Sequence, residues 1–102
     1  MRRPFSVHFS RRAAGEIATA EAWWAENRKA APDAIADALV KTVSMLQTSP
    51  EIGAPARSTG LAEVRRIFLD RIDYHVYYRV DSRRARITVV TFWHARRQPP
   101  RL

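Results

Sequence analysis

The fold is decided by the stretch VRRIFLDRIDYHVYYRV (Val64–Val80) and by ITVVTFWHARR (Ile87–Arg97), which follows it. These residues contain three strand signals in quick succession, at Leu61–Leu69, Tyr74–Val80 and Ala85–Trp93. Four residues separate each strand from the next, and connections this short join antiparallel neighbours. The stretch therefore predicts a three-stranded antiparallel meander.

Upstream of the meander, the hydrophobic period changes from that of a strand to that of a helix. Residues 4–10 alternate apolar and polar side chains and predict a strand. A helix is predicted from Arg11 to about Arg28, with Ser10 as its N-cap. A second helix is predicted to start at Pro32. Its predicted buried stripe consists of Ile35, Leu39, Val43 and Leu46, widened by Ala36 and Val40.

The order of these elements is β-α-α-β-β-β. It predicts an α+β fold in which an N-terminal helical hairpin packs on one face of an antiparallel sheet. Residues 48–60 contain two prolines and two glycines and predict a loop between helices and meander. The 102 residues are expected to form a single domain, with residues 95–102 as a short basic tail.

Composition narrows the class of protein. The chain has no cysteine, which excludes disulfides, thiol catalysis and cysteine-based zinc sites. No run reaches the ~20 apolar residues of a membrane span, and no apolar core follows the basic start at Met1–Pro4. We therefore expect no membrane segment, no secretion signal and a cytoplasmic location.

The net charge of +8 is concentrated in one half of the chain. Residues 57–102 carry eleven arginines and four acidic residues. This asymmetry indicates that the protein binds an anionic partner: nucleic acid, an acidic protein or both. The alternative is that the basic surface only keeps the protein soluble.

The second face of the meander combines aromatic residues with arginines, where a solvated face would be polar. Either another part of the chain covers this face or a partner does, and we expect a partner because the helices already occupy the other face. Aromatics interleaved with arginines also suit a nucleic-acid-binding surface without catalysis, although core aromatics give the same pattern. The aromatics in question are Tyr74, Tyr77, Tyr78, Phe92 and Trp93.

Catalysis would have to rest on a few scattered residues. The three histidines, His8, His75 and His94, show no metal-ligand spacing, so we expect no metal and no cofactor. A general acid–base ribonuclease needs two groups that exchange protons and cations that stabilise the phosphorane charge. His94 and Glu63 fit the first two roles. The cations would be Arg65, Arg66, Arg79 and Arg96. Alternatively, Glu63 forms an ion pair with an arginine and His94 ends the strand.

Three motifs, in this order after a helical hairpin, resemble the RelE/ParE superfamily of toxins from type II toxin–antitoxin pairs. They are VRR at 64–66, YYRV at 77–80 and WHARR at 93–97. The resemblance covers nearly the whole chain and implies the fold described above.

The ending of the chain, where His-x-Arg-Arg follows the last strand, resembles the ParE branch, as does the long hairpin with Trp23 and Trp24. ParE-like toxins poison DNA gyrase and have no established hydrolytic site. RelE-like members are mRNA interferases that work in the ribosome with lysine and arginine on the middle strands and a tyrosine or histidine near the C-terminus. This chain has no lysine after Lys41 and no tyrosine after Tyr78, but His94 keeps the interferase alternative open.

The resemblance also implies partners. A cognate antitoxin is expected to wrap the toxin with a flexible, often acidic segment, in a heterotetramer or a larger complex, and operator DNA would be bound through the antitoxin. Our leading hypothesis is a ParE-like gyrase poison without committed catalytic residues. Its expected partner-binding residues are Arg65, Arg66, Tyr77, Arg79, Trp93, His94, Arg96 and Arg97.

Two alternatives remain at this stage. The interferase alternative assigns catalysis to His94, Glu63, Arg65 and Arg79. The third hypothesis is a non-toxic module that binds only an antitoxin-like partner. Under the leading hypothesis, Pro99 and Pro100 are expected to keep the basic end of the chain extended, since neither can donate to a strand ladder.

Overall fold

The computed structural model describes residues 3–102. Met1 and Arg2, on which the expectation of no secretion signal partly rests, lie outside this range. Within it, one strand is followed by two helices and then by four strands. They are β1 (Ser6–Phe9), α1 (Arg11–Asn27), α2 (Ala34–Thr48), β2 (Ala54–Pro55), β3 (Val64–Leu69), β4 (Tyr74–Asp81) and β5 (Arg86–His94). A single turn of 3-10 helix, Arg57–Thr59, lies between β2 and β3. No helix in residues 3–102 is long and apolar enough to cross a membrane.

The strands form one sheet in the order β1-β5-β4-β3-β2. The predicted meander is confirmed, because β3 pairs antiparallel with β4 and β4 pairs antiparallel with β5. The sheet as a whole is mixed rather than antiparallel, since β1 pairs parallel with β5, with Val7 opposite Ile87 and Phe9 opposite Val89. A parallel pair needs a long connection, which here contains both helices and the strands β2, β3 and β4.

The helices begin and end close to the predicted positions. The Ser10 hydroxyl accepts the backbone N–H of Ala13 at 3.0 Å, which confirms Ser10 as the N-cap of α1. Helix α2 begins at Ala34 rather than at Pro32, because residues 29–33 form turns and Ala34 N–H still bonds back to Ala31. The short connection makes α1 and α2 neighbours, as predicted.

The main core lies between the helices and one face of the sheet, which we call the inner face. Ile35 and Leu46 of α2 are fully buried there, as predicted. Val40 is 70% exposed, so its predicted place in the buried stripe is wrong, and the buried neighbour is Thr42, whose hydroxyl bonds to the Ala38 carbonyl. The sheet contributes Val76, Tyr78, Ile87, Val89 and Phe92.

The opposite, outer face of the sheet is partly covered by the chain itself. Ala56, Val64 and Tyr77 are buried in a second, smaller cluster, with Leu61, Val90, Trp93 and Leu102 packed against it. Pro100 is fully buried, and the backbone N–H of Leu102 bonds to the Thr59 carbonyl at 2.7 Å. The expectation that a partner covers this whole face is therefore wrong for its centre, which the 54–62 segment and residues 98–102 occupy.

The predicted loop 48–60 contains β2, which the sequence did not indicate because it has only two residues and one is proline. The loop is fixed at Gly53, whose backbone N–H donates to the buried Tyr78 hydroxyl at 2.8 Å. A side chain at Gly53 would meet that hydroxyl at 2.7 Å and the Arg66 carbonyl at 2.9 Å. Close approach of the loop to the sheet therefore requires glycine here.

Candidate functional site

The C-terminal end of β5 is held in a defined turn. His94 ends the strand, its Nδ1 accepts the backbone N–H of Arg96 at 3.2 Å, and its carbonyl accepts the N–H of Arg97 at 3.1 Å. Asp73 fixes the turn from the β3–β4 connection, because its carbonyl accepts the Ala95 N–H and its carboxylate pairs with Arg96 Nε at 2.9 Å. In the neutral imidazole of His94 the proton then lies on Nε2. We call residues 93–97 the C-terminal edge.

The C-terminal edge borders a cleft of about 1100 Å³ that runs along α1. Its walls carry six arginines against two acidic residues, Glu16 and Asp73. The arginines are Arg11, Arg12, Arg28, Arg71, Arg96 and Arg97. The cleft therefore presents a positive field bounded by aromatic surface, including Trp23 and Trp24, and is suited to an anionic ligand with an apolar side.

His94 lies on the wall of this cleft. Its ring meets the edge of Tyr74 at 5.0 Å between centroids, and Tyr74 in turn stacks on Phe92 at 4.3 Å with nearly parallel planes. Burial raises the pKa of the Tyr74 phenol, and the positive charge of Arg97 acts in the opposite direction. His94 is half-buried, and aromatic packing holds its ring in place.

Two arginines of the cleft, Arg28 and Arg97, stack on tryptophan rings. Arg97 lies over the Trp93 ring at 3.7 Å, and the Trp93 indole N–H donates to the Gln98 carbonyl at 2.8 Å. Arg28 lies over Trp23 at 5.2 Å, and Trp23 is 49% exposed. Such cation–π contacts fix the guanidinium planes while leaving their edge donors free to bind. Residues 98–102 then fold back on the outer face, so the tail is packed rather than freely solvated.

The strand residues of the expected site divide between the two faces. Arg65 lies on the inner face and donates to the Gly53 carbonyl at 2.7 Å and the Glu51 carbonyl at 3.2 Å, so it holds the loop. Arg66 and Arg79 lie on the outer face. Tyr77 is 1% exposed within the outer cluster, so the prediction that it contacts a partner is corrected.

The expected acid–base pair is not assembled. Glu63 immediately precedes Val64, which pairs with Arg79, whereas His94 pairs with Tyr74 at the other end of β4. Five residue steps along β4 separate these pairs, or roughly 17 Å at the rise of a strand. The carboxylates that do share the cleft with His94 are Glu16 and Asp73. Asp73 is paired with Arg96, and Glu16 accepts hydrogen bonds from Thr91 and Phe92.

The sequence analysis did not identify Glu16 as a residue of the site. Glu16 of α1 accepts the Thr91 hydroxyl at 2.5 Å and the Phe92 N–H at 3.1 Å, both at a β-bulge where Val90 is the extra residue of β5. Glu16 thereby ties α1 to the strand that leads into the C-terminal edge. The available signal was the polar stripe of α1 at helical spacing, formed by Arg12, Glu16, Thr19 and Trp23.

Residues 3–102 contain no group of three or more histidine, aspartate or glutamate side chains placed to hold a metal ion. The charged side chains of the cleft are six guanidinium groups and two carboxylates, and they lie beside one imidazole, the hydroxyls of Thr19 and Tyr74 and two indoles. This arrangement can bind and orient anionic groups.

Comparison with solved structures shows which proteins share this fold. A chain of the chromosomal ParDE toxin–antitoxin system from P. aeruginosa is 22% identical, with a TM-score of 0.68 over 88% of this chain and 95% of that one. A chain of the RelBE2 toxin–antitoxin complex from Mycobacterium tuberculosis is 20% identical, with a TM-score of 0.67 over 92% and 94%. A chain of the intact E. coli RelBE complex is 24% identical, with a TM-score of 0.62 over 91% and 99%.

Comparison with protein families gives a more specific result. No curated protein sequence matches the chain. The family described as the ParE toxin of the type II toxin–antitoxin system, parDE, matches residues 7–99, which include both helices, the meander and the C-terminal edge. The chain therefore belongs to the ParE toxin family of type II toxin–antitoxin systems.

Proposed function

We propose that this toxin poisons DNA gyrase when it is free and that a cognate antitoxin neutralises it. The observation that carries the proposal is the C-terminal edge, where Arg96, Arg97 and His94 are presented on a fixed turn beside a basic cleft. A rigid, charged turn of this kind is suited to recognition by contact. Pre-organised guanidinium groups bind carboxylates and phosphates with little ordering cost.

The separation of Glu63 from His94 favours a binding role over hydrolysis at the residues we had expected. Proton transfer requires the donor and acceptor to lie within hydrogen-bond reach of one substrate. Arg65, the expected phosphate-stabilising cation, is turned toward the Gly53 and Glu51 carbonyls of its own loop. The side chains of Glu63, His94 and Arg65 therefore do not converge on one reacting atom.

The cleft along α1 supports an acidic, amphipathic antitoxin segment as the neutralising ligand. Its six arginines complement carboxylates, while Trp23 and Trp24 offer apolar surface to the other side of such a segment. A segment that is disordered before binding must gain both burial and charge pairing to offset its ordering. Bound there, it would also cover Arg96 and Arg97, which explains neutralisation by occlusion.

A gyrase supercoiling assay tests the proposal. Folded toxin, freed from antitoxin, is added to gyrase, ATP and relaxed plasmid, and supercoiling together with protein-linked double-strand breaks is measured. We expect lost supercoiling and trapped breaks. The double variant Arg96→Ala/Arg97→Ala is expected to need at least about tenfold more protein for the same effect, since truncating interfacial charges weakens binding strongly.

The matched control is Arg83→Ala/Arg84→Ala, which removes the same charge from the exposed β4–β5 turn. It is expected to inhibit as the parent does. Equal loss in both double variants would mean that net charge, and not the C-terminal edge, determines inhibition. Undisturbed supercoiling by demonstrably folded parent protein would reject the gyrase proposal.

A ribosome-dependent mRNA interferase is the second candidate, favoured by the place of the His94 imidazole in a cleft rich in arginine. If the protein is an interferase, it should cleave messages in a translating extract. The His94→Ala variant should keep the fold and lose this cleavage. Equal cleavage by parent and variant would exclude His94 as the acid or base. Normal growth of cells that accumulate the toxin alone would instead support a non-toxic binding module.

A further inference from the structure

The outer face carries a row of three aromatic rings, two of which, Phe68 and His75, the proposed function does not use. Phe68 of β3 pairs with His75 of β4, and His75 pairs with Trp93 of β5, so one ring from each of three adjacent strands lies in register. The Phe68 and His75 centroids are 5.2 Å apart, and His75 meets the edge of Tyr77 at 5.9 Å. We call Phe68, His75 and Trp93 the aromatic row.

Phe68 and His75 form an open part of the outer face, whereas Trp93 is packed against the outer cluster beneath Arg97. Phe68 is 51% exposed, although phenylalanine is normally buried, while Tyr77 in the next row is covered by the 54–62 segment and the tail. His75 is half-buried. The row thus provides flat, accessible ring surface beside a closed cluster that fixes its position.

Arginines frame the row. Arg66 lies two residues before Phe68 on the same face, close enough for its charge to act on His75, and Arg97 stacks on Trp93 at 3.7 Å. The nearby carboxylate of Asp73 is paired with Arg96. Stacking surface between positive charges is therefore the chemistry that the row offers.

We propose that single-stranded DNA binds along the aromatic row, with bases stacked on Phe68 and His75 and phosphates contacted by Arg66 and Arg97. Aromatic side chains on a sheet stack two or three unpaired bases, and every base has a face for stacking, so recognition is tolerant of sequence. A duplex hides these base faces and gains only phosphate contacts. The choice of DNA rests on the proposed action on gyrase, whose substrate is DNA.

Binding of fluorescein-labelled oligonucleotides to the full-length, antitoxin-free toxin tests this proposal by fluorescence anisotropy. The probes are a short oligothymidylate, the corresponding oligouridylate and a DNA duplex of equal length. We expect the single-stranded DNA to bind at least about tenfold more tightly than the duplex. Phe68→Ala is expected to weaken binding about 5- to 100-fold, the range that alanine substitution of a stacking aromatic produces.

Two matched controls separate stacking from charge and from unfolding. Phe9 lies on β1, which forms one edge of the sheet, and is 38% exposed. Phe9→Ala is expected to bind the oligonucleotides as the parent does. Arg66→Gln is expected to reduce both affinity and its salt dependence, whereas Arg83→Gln, in the β4–β5 turn, leaves both close to the parent values. Thermal unfolding of each variant confirms that it is folded.

Each remaining outcome overturns a defined part of the proposal. Equal affinity of Phe68→Ala and parent, or equal affinity for duplex and single strand, would reduce the interaction to charge and reject the aromatic row as the site. A clear preference for the RNA probe would reject DNA as the ligand. Because the assay contains no gyrase, loss of oligonucleotide binding with gyrase inhibition intact rejects this inference alone.

Discussion

The two faces of the sheet are built from alternate residues of the same three strands, yet they serve different purposes. On the inner face, Val76, Tyr78 and Phe92 are at most 2% exposed beneath the helices. On the outer face, exposure ranges from buried Tyr77, which lies between Val76 and Tyr78, to Phe68, which is 51% exposed. The inner face stabilises the fold, while the outer face is closed only at its centre and stays available at its rim.

This comparison predicts opposite results for the same substitution on the two faces. Phe92→Ala, in the core, should destabilise the protein by about 3–5 kcal/mol, the range for a buried phenylalanine. Phe68→Ala should change the free energy of unfolding by no more than about 0.5 kcal/mol, as surface substitutions do. Urea unfolding of both variants measures the difference. Comparable destabilisation would mean that Phe68 is a packing residue and that the two faces are not distinct.

Adjacent tyrosines sharpen the comparison. Tyr78→Phe should cost about 1–3 kcal/mol, because it leaves the buried N–H of Gly53 without an acceptor. Tyr77→Phe keeps the ring within the outer cluster and should cost less than Tyr78→Phe. Equilibrium unfolding measures both, and hydrogen exchange at Gly53 shows whether the loop is released in the first variant alone. An equal cost would contradict the role given to the Tyr78 hydroxyl.

Removal of residues 99–102 tests the closed centre of the outer face. The deletion exposes the cluster around Tyr77 and removes buried Pro100 and the bond from Leu102 to Thr59. We expect a loss of about 1–2 kcal/mol, roughly the burial of one apolar side chain. A stability equal to that of the full chain would show that the tail covers the face without contributing to the fold. Substitution of exposed Arg101 by Ala in the intact chain provides the control for lost charge.

The local patterns of the sequence were sufficient for the helices and the meander, because period and capping are set by residues close together in the chain. The parallel pairing of β1 with β5 and the return of the tail over the outer face were not predicted, since both depend on contacts between residues about 80 and about 40 positions apart. The two-residue strand β2 contains proline and has no strand period.

The candidate site was less predictable than the fold. Arg65 and Arg66 look alike in sequence, but strand alternation sends them to opposite faces, and the loop carbonyls that engage Arg65 are far away in the chain. His94, Arg96 and Arg97 were predicted because they follow the last strand directly. Their neighbours on α1, including Arg12 and Glu16, were not, because the polar stripe of a helix does not show which distant element it faces across a cleft.

The smallest expected effect concerns His75, at the boundary between the open and closed parts of the outer face. Burial lowers its pKa below the ordinary 6.5, the positive charge of Arg66 lowers it further, and Asp73 opposes both. The unfolded chain therefore binds more protons than the folded one between the folded pKa and about 6.5. Stability should fall as the pH decreases through that window and level off below it.

Thermal unfolding of the parent and of His75→Phe between neutral and mildly acidic pH measures this contribution. The variant keeps a ring in the aromatic row but cannot bind a proton, so its melting temperature should decline less on acidification. NMR titration of the His75 ring reports its pKa directly. A value at or above 6.5 would mean that solvent reaches the ring more freely than its half-buried position indicates, and the open part of the outer face would then extend toward Tyr77.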